Sequence, residues 1–258
     1  MNNKEIKKLP FWETIGRSFK YVFKNTDLLK AILPVIGVLV VVQIVFNFPM
    51  MCSVGLSNQC SDGWAKDVHV LITALAACGI IINYCRSIIC KADIDYVSKS
   101  FFKKLVLYFT ASVCLSVLIG IPTFAATILG AVVGVNEIAL QLLVYTTFLG
   151  LGMFFAPLLM VFPAISVDDY KIINWNKLYS LVKGNHGAVF WGQMLIMVPY
   201  WILYRMITEL YVLININNWG ANFIFITLFI ALAIMDACIK GAFFAHIYQY
   251  FKFYDKHN

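Results

Sequence analysis

The sequence predicts an all-α protein, a polytopic membrane bundle of six transmembrane helices with cytoplasmic interfacial amphipathic helices. Three observations lead there. Of 258 residues, 61% are hydrophobic and 13% charged, whereas a soluble domain carries about a quarter charged residues. The apolar residues gather into runs of about 20, the length that crosses a hydrocarbon core. Lys and Arg collect in alternate connections between those runs, as the positive-inside rule requires.

In chain order, residues 1–28 form a basic amphipathic segment. Within "FWETIGRSFKYVFKN", helical spacing puts Phe11, Ile15, Phe19, Val22 and Phe23 on one face and Arg17, Lys20 and Lys24 elsewhere. Such a helix lies in the interface plane, with its cations toward anionic lipid. The membrane domain, 29–248, holds candidate spans at 29–51, 68–90, 105–131, 139–165, 188–208 and 221–245. A cytoplasmic tail, 249–258, follows.

Between the first two spans, "CSVGLSNQC" places Cys52 and Cys60 in an outer loop. They pair as a disulfide if that compartment is oxidising; alternatively Cys52 ends the span unpaired. Cys78, Cys85, Cys90, Cys114 and Cys238 sit in or at the edge of spans, where a thiol behaves as a small hydrophobe. The third span carries Ser112, Ser116, Gly120, Ala126 and Gly130, and the fourth Thr146, Gly150, Gly152 and Ala156, rows of small residues that let helices approach closely. Pro34, Pro122, Pro157, Pro163 and Pro199 fall in or near spans, where neighbours must satisfy the freed backbone groups.

Each odd-numbered span follows a basic amphipathic stretch: the one above, "DIDYVSKSFFKK", and "NWNKLYSLVKGN". Together they suggest three units of about 75 to 80 residues, each an interfacial helix plus a hairpin. The plainer alternative is that any inward-facing linker has this look.

Orientation follows from the cations. Lys4, Lys7, Lys8, Arg17, Lys20, Lys24 and Lys30 precede or open the first span. Lys91, Lys99, Lys103 and Lys104 separate spans two and three, Lys171, Lys177 and Lys183 separate four and five, and Lys252 and Lys256 follow six. The opposite loops hold Lys66 and Arg205, and Arg86 and Lys240 remain inside spans. The expectation is an inner (plasma) membrane protein with both termini cytoplasmic and no cleaved signal peptide. Trp12 and Trp175 fall near the inner interface, Trp64 and Trp219 near the outer one.

A net charge of +7 does not indicate nucleic acid, because the basic residues lie between apolar runs and not on a soluble recognition face. No GxSxG, HExxH, P-loop or dinucleotide fingerprint occurs, so neither an enzyme nor a cofactor is expected. The histidines at 69, 186, 246 and 257 have no Cys or His at ligand spacing, so no metal site is expected. His186 reads as a headgroup-level turn residue. Asp168 and Asp169 read as caps of the following helix, or as carboxylates holding a cation with lipid phosphate.

The exception to the apolar pattern is "AIMDACIKGAFFAH". Counting from Asn222 at about 1.5 Å per residue, Asp236 lies roughly 21 Å and Lys240 roughly 27 Å into the sixth span. The lysine is close enough to the headgroups to snorkel; the acid is not. Acid before base at i,i+4 favours an intrahelical pair. Ala233, Ala237, Gly241 and Ala245 form a small-residue row flanked by that pair, so the charges are expected to face protein. Arg86 reaches a similar depth in span two, and packing of spans two and six is expected to gather Arg86, Asp236 and Lys240 into one intramembrane cluster. Two readings stay open, a helix-packing salt bridge and a proton- or substrate-linked acid in a solvated cavity. Arg205 and Glu209 read as an interfacial pair.

The segment 157–192, "PLLMVFPAISVDDYKIINWNKLYSLVKGNHGAVFWG", joins an apolar span ending in Pro-Ala-Ile, a small acidic turn, an amphipathic helix and "KGN" before the next span. It resembles a family of uncharacterised bacterial six-span inner-membrane proteins, similar to the membrane domain fused to some glycerophosphodiester phosphodiesterases. Members often carry an arginine upstream of the Pro-Ala motif, where this chain has Met153 to Ala156. The resemblance implies fold, topology and a bacterial inner membrane, and no catalytic residue. The functional expectation is a non-catalytic membrane organiser that binds membrane lipids, a protein partner or a second copy of itself at the inner leaflet; the alternative is a small transporter working through Asp236.

Overall fold

A chain in a bilayer must satisfy its backbone hydrogen bonds internally, and this one does so with helices. The computed structural model describes residues 8–45, 63–214 and 219–254, and every regular element among them is helical. They are α1 Phe11–Lys24, α2 Thr26–Val45, α3 Gly63–Cys90, α4 Lys99–Val132, α5 Glu137–Phe155, α6 Val161–Ser166, α7 Trp175–Leu181, α8 His186–Ile214 and α9 Trp219–Tyr254, with 3-10 turns at Ala156–Met160 and Tyr170–Ile172.

Among the described residues, five stretches are long and apolar enough to cross a membrane: Leu71–Cys90, Lys99–Val132, Glu137–Ser166, His186–Tyr211 and Thr227–Phe253. They correspond to the second to sixth expected spans. The first, 29–51, is represented by α2 with a shorter apolar stretch, Ile32–Val41; its remainder, with Cys52 and Cys60, lies outside the described residues. Prolines 34, 122 and 199 sit within continuous helices. Pro157 instead opens the 3-10 turn that divides α5 from α6, since its ring lacks the N–H that an α-helical ladder needs.

The bundle is inverted relative to a soluble protein on its α4 side. Only 6% of the apolar window of α4 is buried, and Ile121, Phe124, Leu129, Ile138 and Leu142 of the α4–α5 hairpin are exposed. An apolar face of this size requires lipid around it. This is a multi-pass α-helical membrane protein.

Burial concentrates around the second half of α9, which packs on α3, α1, α8, α2 and α6. Cys238, Ala242, Phe243, Ala245, Ile247 and Tyr248 are fully buried there, as are Ile80, Ile82, Tyr84 and Cys85 of α3. The small-residue row makes the contact. A Cβ on Gly241 would lie 2.7 Å from Tyr84 Cβ, 3.1 Å from Ile81 Cα and 3.2 Å from Ile81 O. Cys85 Sγ donates to the Gly241 carbonyl at 3.4 Å.

Of the three expected interfacial helices, α1 and α7 form as separate helices. The stretch 93–104 does not. Asp95 Oδ1 accepts the backbone N–H of Val97 and of Ser98, each at 3.0 Å. The Ser98 hydroxyl caps the Phe101 N–H at 3.1 Å. These side chains hold the backbone in a turn through Ser98, and α4 starts at Lys99 and continues directly into its span. At the other end α9 runs to Tyr254, so residues 249–254 are its last turns and not a separate tail.

Gly241→Ala is expected to lower the unfolding midpoint in detergent by overpacking rigid backbone, a cost of about 1–3 kcal/mol. Gly120→Ala in α4, where an added methyl meets nothing within 4 Å, is expected to leave the midpoint unchanged or raise it. Equal effects of the two substitutions would show that α3 and α9 do not meet at Gly241.

Candidate functional site at the basic end of the bundle

The end of the bundle rich in Lys and Arg is tied together by polar side chains from six segments. Asn185, in "KGN", follows Gly184, whose φ of 77° is a conformation that glycine adopts without steric cost. That turn aims the buried Asn185 side chain back at the chain before α1, and its Oδ1 accepts the Leu9 N–H at 2.7 Å. Tyr250 donates its hydroxyl to the Lys8 carbonyl at 3.0 Å, and Gln249 Nε2 donates to the Ile88 carbonyl of α3 at 2.9 Å. The buried Asn83 exchanges two bonds with Asp95, donating to its carbonyl and accepting its N–H, both at 3.0 Å.

The acidic turn after α6 is an ionic clasp. Asp168 adopts φ 59°, tolerable for an aspartate, and its Oδ2 pairs with Lys104 Nζ at 2.6 Å. The Lys104 side chain is 4% exposed and that of Asp168 55%, so the acid brings charge neutralisation from the water side to a lysine buried among helices. Asp169 accepts from Lys252 Nζ and from the Tyr248 hydroxyl, both of α9. Lys103 lies 5.8 Å from the centre of the Tyr170 ring. Neither acid caps the following helix; Asn174 caps α7 instead, accepting the Asn176 N–H at 3.0 Å. The two carboxylates pair with Lys104 of α4 and with Lys252 and Tyr248 of α9, which corrects the expectation that they cap the following helix.

Burial pushes the Asp169 carboxyl up, but the hydrogen bonds from Lys252 and Tyr248 and the charges of Lys252 and Lys171 outweigh it. The group ends below its ordinary value. Asp95 is held lower still, at about 2, first by the Ser98 hydroxyl, then by the Ser98 and Val97 N–H groups, with a smaller contribution from Arg86.

The expected three-charge cluster is divided. Asp236 and Lys240 form the intrahelical pair on α9, their side chains 11% and 17% exposed, so the charges face protein. Arg86 instead pairs with Asp95 Oδ2 at 3.8 Å. The turn at Asp95 folds back over the end of α3, a return that the hydropathy pattern does not encode. Asp236 Oδ1 is buried with no hydrogen-bond partner among the described residues. Arg205 and Glu209 form their own exposed i,i+4 pair on α8. His186 opens α8 and packs edge-on against Tyr179, with ring centres 4.6 Å apart.

Helix α1 lies along the same end, against α9, α2 and α8. Its fully buried residues are Thr14, Ser18 and Val22; of the expected apolar row, Phe11, Ile15 and Phe19 are half-buried beside them and Phe23 is exposed. Both hydroxyls turn back onto their own helix, Thr14 to the Pro10 carbonyl at 2.9 Å and Ser18 to the Thr14 carbonyl at 2.8 Å, so they can be buried without loss. Trp12 and Phe23 are left 73% and 60% exposed, beside the exposed Arg17, Lys20 and Lys24. Arg17 also bonds Glu13 one turn back. Between α1 and α9 an open cleft of about 350 Å³ is lined by Pro10, Glu13, Thr14, Arg17, His246, Gln249, Tyr250 and Phe253. Among the described residues, no three His, Cys, Asp or Glu side chains converge as metal ligands would.

Sequence reasoning missed the clasp, the Asn83–Asp95 exchange and the cleft. The signals were faint: two acids side by side, a Asp95-to-Ser98 spacing typical of capped turns, and matching i, i+3, i+4, i+7 rows on α1 and α9. No family model, curated protein or solved structure matches the chain.

Asp169→Asn is expected to destabilise the protein by about 1–2 kcal/mol, the scale of a hydrogen bond to a charged group after solvent screening. Because the folded-state pKa of Asp169 is depressed, the advantage of the native protein over the variant is present above the unfolded value near about 3.9. It is lost as pH falls through the lower folded value. Thermal unfolding of both proteins from pH 7 to pH 3 measures it; a difference that grows on acidification would contradict the clasp.

Proposed function

We propose that this protein is a non-catalytic membrane organiser, which gathers lipid or partner proteins at the cytoplasmic leaflet through the basic end of its bundle. In this reading the chain crosses a plasma membrane six times, with α2 opening the first crossing and both termini inside. The observation that carries it is the exposed side of α1. Tryptophan and phenylalanine stand beside Arg17, Lys20 and Lys24 on a helix fixed along the bundle's end. Aromatics that settle at headgroup depth and cations that meet anionic headgroups are what a lipid-facing interfacial helix presents. Positive charge on the other connections of this end adds to the same field, worth about 1 kcal/mol for each Lys or Arg near an anionic surface.

The buried charges give the competing reading its one support. An unpartnered Asp236 Oδ1 within a span is what a transporter would present to a proton or solute. Against it stands the Lys240 ammonium, which neutralises the acid within its own helix. The outer connections are short and intramembrane polar groups few, so there is little chemistry with which to hold a hydrophilic solute.

Replacing Arg17, Lys20 and Lys24 together by Gln is expected to reduce the enrichment of anionic lipid around the protein severalfold in mixed nanodiscs. Lipid mass spectrometry measures it, and raised salt should shrink the difference, as screening dictates. Asp236→Asn should lower thermal stability and leave lipid enrichment unchanged. Unaltered enrichment in the triple variant would end the organiser reading. Rapid reaction of Asp236→Cys with a water-soluble maleimide, in an otherwise cysteine-free, folded protein in intact membranes, would favour the transporter.

A further inference from the structure

The cleft between α1 and α9 is built from two facing helical stripes. Pro10, Glu13, Thr14 and Arg17 recur at i, i+3, i+4 and i+7 on one side, and His246, Gln249, Tyr250 and Phe253 do the same on the other. Its volume of about 350 Å³ is at the lower end of the range for small-molecule sites, the scale of a lipid headgroup and not of a whole lipid. All four α9 residues belong to the candidate span Thr227–Phe253. The cleft therefore lies at the end of a candidate span, where a lipid headgroup at the bilayer surface can reach it.

The charges lining the cleft have both signs. The Glu13 and Arg17 side chains are 56% and 65% exposed and paired one turn apart. One guanidinium nitrogen holds Glu13, which leaves further N–H donors in a fork suited to phosphate. A purely anionic headgroup drawn to Arg17 would sit against the Glu13 carboxylate. A headgroup carrying phosphate and ammonium together meets both. His246 adds a polar ring at the deeper end, its Nε2 buried without a partner among the described residues. Phe253, 47% exposed, lines the cleft as an aromatic side chain of the kind that settles among headgroups and upper acyl chains.

We infer that this cleft is a binding site for a zwitterionic phospholipid headgroup of the phosphoethanolamine class, its phosphate toward Arg17 and its ammonium toward Glu13. The inference rests on the proposed lipid-facing role of this end and adds a headgroup preference to it. The general basic field gathers anionic lipid without selecting its headgroup; the Glu13–Arg17 pair selects against a lone negative charge.

The test uses the full chain purified in detergent, titrated with dihexanoyl phosphatidylethanolamine and dihexanoyl phosphatidylglycerol and read by native mass spectrometry. Saturable binding of phosphatidylethanolamine is expected. Glu13→Gln should weaken it about fivefold to tenfold, the scale of one charge-assisted hydrogen bond, while leaving phosphatidylglycerol unchanged or tighter. Arg17→Gln should weaken both. Both positions are exposed, so neither variant threatens the fold. If Glu13→Gln leaves phosphatidylethanolamine binding unchanged, strengthens it, or weakens both lipids alike, the assignment is overturned, as it is if no saturable binding occurs. Soluble O-phosphoethanolamine competing as well as the lipid would assign the cleft to a free small molecule and overturn the lipid source. Lys20→Gln combined with Lys24→Gln should lower anionic enrichment in nanodiscs without touching this site, so failure of the headgroup assignment and failure of the broader lipid-facing role are read separately.

Discussion

Without a Cβ on Gly241, the α3 backbone rests directly against α9, and the arrangement of the basic end depends on that approach. The contact places Tyr84 and Cys85 against the α9 backbone and sets the end of α3 beside Gln249, which then reaches the Ile88 carbonyl. In lipid there is little hydrophobic drive to bring two apolar helices together, so close backbone packing must supply the attraction. Large side chains stack around this narrow seam: Phe243 and Phe244 on α9, Phe162 of α6, and Tyr108 of α4.

Around that seam, charge is handled by pairing. The Asp236–Lys240 pair lies within one helix, where a fixed i,i+4 spacing keeps the acid compensated. Lys104 is buried among helices and takes its counter-charge from Asp168 at the surface. Asp169 and Lys252 close the same turn onto α9. The last two pairs join elements far apart in sequence, and each leaves at least one partner near water. A fully sequestered pair would cost more desolvation than its attraction returns.

The same end carries an outward layer of exposed basic residues with aromatics among them. The two layers have different consequences. The inner pairs fix the acidic turn relative to α4 and α9, and the Asn185 and Tyr250 hydrogen bonds tie the chain before α1 to the start of α8 and to α9. The outer cations meet whatever anionic surface is adjacent. The α1–α9 cleft lies where the layers join, which is why it has charges of both signs although the surface around it is basic.

Much of the fold was legible in composition and periodicity. The apolar runs located the second to sixth spans, within three residues at most ends and six to eight at the start of the third and both ends of the sixth, because crossing a hydrocarbon core imposes a length that the chain cannot disguise. The amphipathic pattern of α1, the small-residue row on α9 and the i,i+4 pairs at Asp236 and Arg205 were likewise readable, being properties of single helices with a known period. Contacts between segments were not. Arg86 meets Asp95 and not Asp236, Asp168 and Asp169 clasp α4 and α9 and do not cap α7, and α1 buries Thr14 and Ser18 more fully than its phenylalanines. Each of these outcomes depends on where a turn returns the chain and which helix then lies within a few ångströms. Hydropathy sets which residues enter the membrane; three-dimensional packing alone decides which of them meet, because partner choice is a matter of distance between elements that one helix's sequence does not specify.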